Sequence, residues 1–241
     1  MSDNLRSSGS DDNQIVQPLY TPIKRRSFFM YAGATAGATA LVLAGCGKDS
    51  DNGVKPNTVN LGTGNIGVLN YAFALEQLEA AFYAAVVAAP FTGITATETA
   101  ALRAIARHEA IHRDFFKAAI PAANRIADLT PNFSAVNFTS RTSVLETART
   151  FEDLGVGAYN GAGRLIDTST ADGMVYLGLA GKIVSVEARH AAQIREIIAV
   201  NTFATTVVDA RGLDQALTPA QVLTAAQPFI RETLNGSNIG S

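Results

Sequence analysis

The sequence predicts an all-α fold, a four-helix bundle with a long crossover between its second and third helices and a short C-terminal helix. Three observations predict it. Four long segments repeat apolar residues every three or four positions, which lines one face of an α-helix. Prolines and capping patterns punctuate the ends of those segments. A connection of roughly twenty residues, with Pro121, Pro131 and several asparagines, separates the second segment from the third.

The first helix is read over residues 65–88, NIGVLNYAFALEQLEAAFYAAVVA, with few breakers inside and Pro90 just beyond. Thr95-Ala96-Thr97-Glu98 has the form of a capping box, in which hydroxyl and carboxylate satisfy orphan amides, and opens a second helix that runs to about residue 120. In the 121–139 connection the apolar spacing is irregular. Such a length lets the third helix, about 140–166, lie parallel to the second. Ser169 and Asp172 resemble a further cap for a fourth helix through about residue 200. Thr218-Pro219 supplies cap and first turn for the short terminal helix.

Composition narrows the chemistry. With 241 residues, 47% of them apolar, the chain suffices for one domain with a sizeable core. A net charge of −2 without a basic run argues against nucleic acid as a partner. The single cysteine rules out an intrachain disulfide and a Cys-rich zinc site, so a metal here must use oxygen and nitrogen ligands.

The first 46 residues read as an address. A polar leader precedes Lys24-Arg25-Arg26-Ser27-Phe28-Phe29, and an Ala/Gly-rich apolar run then ends at Leu43-Ala44-Gly45-Cys46. The apolar run is shorter than the roughly 20 residues that span a bilayer. The pattern resembles a twin-arginine export signal joined to a bacterial lipobox. That resemblance implies cleavage before Cys46, a lipid on its thiol, membrane attachment through that lipid, and a periplasm-facing place in a bacterial cell envelope. Residues 47–64, rich in Gly, Asn and Asp, read as a flexible tether, and the folded domain is expected over 65–235.

A small motif occurs twice, Glu109-Ala110-Ile111-His112 in the second helix and Glu187-Ala188-Arg189-His190 in the fourth. Three residues make almost one helical turn, so each Glu and His share a side. Both pairs sit in apolar stripes, Ile105/Glu109/His112/Phe116 and Ile183/Glu187/His190/Ile194. The first helix places Glu76 in a stripe with Leu69, Phe73 and Tyr83. The third places Glu152 with Leu145, Ala148, Val156 and Tyr159. A buried carboxylate is protonated, paired or metal-bound. Four of them without Lys or Arg in the stripes call for about four positive charges, which two divalent cations supply.

One Glu from each of two helices and a Glu-x-x-His from each of the others resembles the ligand set of ferritin-like di-iron and di-manganese carboxylate proteins. LEQLEAAFY at 75–83 and FEDLGVGAYNGAG at 151–163 are similar to a bacterial ferritin-like group that includes desiccation-related proteins. The resemblance covers about 65–230. It implies a ferritin-like bundle with two metal ions, iron first and manganese as the alternative, held by Glu76, Glu109, His112, Glu152, Glu187 and His190. Glu109 and Glu187 would bridge, and each histidine would cap one ion. It further implies oxidation of bound metal by a small oxidant, dioxygen or peroxide, or peroxide dismutation with manganese. A lipid-anchored, tethered chain is ill suited to a closed storage shell, and apolar helix faces leave room for a homodimer.

Other readings stand beside this one. Glu79 and Glu146 are alternatives to Glu76 and Glu152, each otherwise a solvated helix residue. Tyr83 and Tyr159 are read as core tyrosines, as hydrogen-bond donors to ligands or as carriers of an oxidising equivalent. His108-Glu109-x-x-His112 also matches the zinc-hydrolase pattern, with a third ligand from Glu187 or His190. Without a site that turns over, the chain would be an envelope stress or desiccation-related bundle.

Overall fold

A computed structural model describes residues 57–241. The Arg25-Arg26 motif, Cys46 and most of the expected tether lie outside the described residues. The chain folds as β1 (Thr58–Asn60), α1 (Gly64–Ala88), α2 (Ala96–Ala119), α3 (Arg141–Ala162), α4 (Ala171–Ile198), α5 (Pro219–Ala226) and β2 (Thr233–Asn235). It is an all-α bundle in which α1 packs along α2 and α3 along α4.

The caps explain most helix starts. Thr95 accepts from the Glu98 amide while the Glu98 carboxylate accepts from the Thr95 amide, and Thr218 and Gln221 do the same ahead of Pro219. The fourth helix starts one residue later than expected. Thr170, not Ser169, accepts from the Gly173 amide, because the Ser169 amide is engaged by the Asp167 carboxylate in the preceding turn. The third helix ends earlier than expected, tightening into a 3₁₀ turn at Gly163–Leu165.

Most of the expected loop structure is tightly packed. Gly67 to Ala80 of α1 are buried on every face, because the 121–139 crossover lies over the side turned away from the other helices. Two amides fasten it there. Asn70 donates to the Leu61 and Asn124 carbonyls and accepts from the Ile126 amide, and Gln77 accepts from the Leu129 amide. Phe133 and Phe138 of the crossover pack on Phe82 of α1, which accounts for apolar residues without a helical period.

Residues 57–64 also belong to the fold. β1 pairs in parallel with β2, Thr58 opposite Thr233 and Asn60 opposite Asn235, and Leu61 is fully buried. Composition alone reads this segment as tether, since its partner strand is contributed from the far end of the chain. The segment before α5 crosses α3 so closely that a Cβ at Gly161 would stand 1.7 Å from the Leu217 carbonyl oxygen, and the Leu217 amide donates to the Gly157 carbonyl.

Asn70→Leu would leave a buried amide and carbonyls without partners, at about 1–3 kcal/mol for each uncompensated group. It is expected to lower unfolding free energy by about 3 kcal/mol in denaturant titration, with the helical content of the native state unchanged.

Candidate metal centre

Helical pitch and burial bring one cluster together at mid-bundle. Glu76 comes from α1, Glu109 and His112 from α2, Glu152 from α3, and Glu187 and His190 from α4. All four carboxylates are 0% exposed and both imidazoles are buried. Within each Glu-x-x-His turn the pair lies side by side, His112 Nδ1 being 3.4 Å from Glu109 Oε2 and His190 Nδ1 3.7 Å from Glu187 Oε2. Across the bundle the contacts are closer. His112 Nδ1 is 2.8 Å from Glu187 Oε1 and His190 Nδ1 is 2.8 Å from Glu109 Oε1.

The donor atoms form two overlapping groups, Glu76/Glu109/His112/Glu187 and Glu109/Glu152/Glu187/His190, each with its atoms within 4.8 Å of one another. Glu109 and Glu187 belong to both. Every residue of the expected set is present in them.

Two tyrosines hold the outer carboxylates. Tyr83 on α1 donates to Glu152 Oε1 on α3 at 2.5 Å, and Tyr159 on α3 donates to Glu76 Oε1 on α1. Burial and the neighbouring carboxylates push both phenols well above their usual range, so they act as neutral donors. Of the readings open for these tyrosines, the structure shows hydrogen-bond donors to clustered carboxylates.

The other oxygens of Glu76 and Glu152, both oxygens of Glu109 and Glu187, and Nδ1 of both histidines are buried without hydrogen-bond partners. The imidazole nitrogens are close to carboxylate oxygens but not aligned with them for hydrogen bonding. Two ligands at right angles on an ion roughly 2.1 Å away stand about 3 Å apart. Atoms so spaced converge on shared points, and their oxygen and imidazole chemistry suits first-row divalent ions. The buried cluster is therefore compatible with a dimetal site.

His108 has a different place. Its Nδ1 lies 2.8 Å from His190 Nε2, with the rings parallel to within 15°. His190 Nδ1 faces the carboxylates, and its Nε2 shares the hydrogen bond with His108 Nδ1, which fixes the ring from outside the cluster. His108 is exposed and belongs to neither donor group. The His108/His112 pair that a zinc hydrolase would need is not assembled on one point.

The two alternative glutamates part company. Glu146 pairs with Arg149 at the surface and takes no part. Glu79 departs from the expectation of a solvated residue. It is 4% exposed, because the crossover and α3 leave α1 no wet face at that height, and Gly155 of α3 lies beside its carboxylate. The signal for it in the sequence was its position between Leu78 and Ala80, one turn beyond Glu76.

Without a bound cation the site holds protons. Burial alone would lower the His112 and His190 pKa values, but the facing carboxylates outweigh it and raise both to about 12. Burial, assisted by the charges of Glu109 and Glu187, raises Glu152 to about 8, and burial with the Glu187 charge raises Glu76 well above the carboxylate range. Burial works against ionisation of Glu109 too, yet the two imidazolium groups hold it near 2.

Glu152 ionises near 4.5 in the unfolded chain and near 8 when folded, and the imidazoles near 6.5 and 12. Between pH 5 and 8 the folded state binds more protons, so metal-free stability falls as pH rises. Melting of the chelator-treated protein is expected at lower temperature at pH 8 than at pH 5. Divalent-metal affinity should rise across the same interval, with protons released on binding. A flat profile in both would contradict this protonation scheme.

No curated protein sequence matches this chain. Residues 64–200 match the ferritin-like domain family. The match spans more than half of the chain and takes in all four long helices with the six clustered residues, and the chain therefore belongs to the ferritin-like domain family.

Proposed function

We propose that this protein holds two metal ions, iron or alternatively manganese, and uses them to oxidise iron or remove peroxide at the bacterial cell envelope. The observation that carries the reading is the pair of overlapping donor groups with two shared carboxylates and their unpartnered atoms. When bound, two adjacent redox-active ions supply paired electrons to dioxygen or peroxide.

The residues of the chain supply the rest. Glu109 and Glu187, which belong to both donor groups, would serve both ions, while Glu76/His112 and Glu152/His190 would each complete one half. Tyr159 and Tyr83 fix the outer carboxylates in orientation. Beside the Glu76/His112 half, Leu69, Ala72, Phe116, Tyr159 and Ile183 line an apolar cleft. Each of Ala72, Phe116 and Ile183 lies one turn from a clustered residue, so the cleft borders the cluster and its apolar lining would favour a small uncharged oxidant over bulk water.

The same reading places the protein outside the cytoplasm, exported through the Arg25-Arg26 signal and anchored by lipid on Cys46, with the bundle on the periplasmic face. Support comes from the order and spacing of those motifs. The twin-arginine route carries folded proteins, which would let the bundle take up metal before export. In a producing bacterium, Cys46→Ser should move the protein from the membrane fraction to the soluble fraction. A variant that stays with the membrane would remove the lipid anchor from the proposal.

The test of the centre is elemental analysis of the purified protein beside the Glu109→Ala/Glu187→Ala double variant. About two iron or manganese ions per chain are expected in the wild type and nearly none in the variant. Iron(II) oxidation by dioxygen or peroxide, followed by absorbance, should be lost in parallel. Two bound ions without turnover would assign the metals a structural role. One zinc dependent on His108 would overturn the proposal.

A further inference from the structure

We infer that Glu79 is a fifth carboxylate of the metal centre, serving the ion on the Glu152/His190 side, and that Gly155 is the residue that makes room for it. The inference rests on the dinuclear reading above.

It begins with a correspondence between α1 and α3. Glu76 is followed seven residues later by Tyr83, and Glu152 seven residues later by Tyr159. Each tyrosine bonds the glutamate of the other helix, so the two helices are equivalent about the centre of the cluster. One turn beyond each glutamate the equivalence fails, with Glu79 on α1 and Gly155 on α3.

The geometry shows that this exchange is coupled. A Cβ built on Gly155 would stand 3.2 Å from Glu79 Oε1 and 3.7 Å from Glu187 Oε2. Glu79 thus occupies the space that a side chain on α3 would take, next to the Glu187 carboxylate that both donor groups share. Glu187 Oε1 is the oxygen close to His112, whereas Oε2 turns toward His190. Glu79 therefore borders the His190 side.

Nothing else in the surroundings accounts for a carboxylate there. Glu76 and Glu152 each have a tyrosine, and Glu109 and Glu187 have the imidazoles. Among the described residues no side-chain hydrogen bond or ion pair reaches the Glu79 carboxylate. Burial, and then the charges of Glu187, Glu109, Glu76 and Glu152, oppose its ionisation. A buried carboxylate in that company destabilises the metal-free bundle. It becomes favourable once cations arrive. Five ionised carboxylates against two divalent ions leave one excess negative charge, located to one side, so the two metal positions are unequal in affinity.

The full-length protein, stripped with chelator, is titrated with cobalt(II), its absorption reporting each position and a competing chelator giving the affinities. Glu79→Gln is expected to weaken one position by about 10–100-fold and leave the other unchanged. Gly155→Ala, which crowds the Glu79 carboxylate, should weaken the same position. Metal-free Glu79→Gln should melt above metal-free wild type at neutral pH, since a buried carboxyl whose ionisation its neighbours oppose has been removed, and this also shows that the variant folds. Equal cobalt affinity at both positions of Glu79→Gln and wild type would overturn the inference. Equal weakening of both positions would overturn it too, as the mark of a general packing role. Wild type that takes up no cobalt would defeat the dinuclear reading itself, a result distinct from two ions bound equally well by variant and wild type.

Discussion

Glu76, Glu109, Glu152 and Glu187 are withdrawn from water completely, and Glu79 nearly so. Carboxylates in that position lose hydration and repel one another, and no lysine or arginine is placed among them. The bundle meets this constraint with neutral donors at the outside and imidazoles in the middle. Tyr83 and Tyr159 satisfy one oxygen each of Glu152 and Glu76, while His112 and His190 carry protons between the shared carboxylates. What remains without partners is the inner set of oxygens and nitrogens. That residue of unmet bonding is located where cations fit and is what turns a polar core into a candidate metal centre.

Holding such a core requires a rigid surround. A cluster of like charges would otherwise be relieved by letting water in, and the fold prevents this by enclosing α1, the helix that carries two of the carboxylates. The crossover covers its outer face through Asn70, Gln77 and the phenylalanine contacts, and the β1–β2 pair closes one end by joining both termini of the described domain. Small residues on α3 serve the same purpose. Gly157 and Gly161 admit Leu217 and its backbone, and Gly155 admits Glu79. The glycine-rich text of the third helix is therefore a record of what packs against it, at a cost in helix propensity of about 1 kcal/mol per glycine.

The two halves of the cluster are built to nearly the same plan, but not with the same neighbours. On the His190 side the outer imidazole nitrogen is held by His108 and a further carboxylate borders the shared Glu187. On the His112 side lies the apolar cleft that reaches Tyr159. The two halves therefore differ in surroundings, one bordered by an apolar cleft and the other by an additional carboxylate.

The sequence by itself determined the four long helices, most of their caps, and the six residues that meet. Apolar period and Glu-x-x-His spacing are local properties, and a residue in an apolar stripe faces inward whatever packs on it. It also favoured Glu152 over Glu146 by the stripe shared with Leu145, Ala148 and Tyr159, and the surface pairing of Glu146 with Arg149 settled the choice. Tertiary structure alone decided the burial of Glu79, the pairing of His108 with His190 and the folding of residues 57–64 onto the C-terminus. Each of these depends on a partner on another element, and periodicity along one helix carries no information about what covers its opposite face. A glutamate next to an apolar stripe reads as solvated until a segment some fifty residues away is seen to lie over that helix.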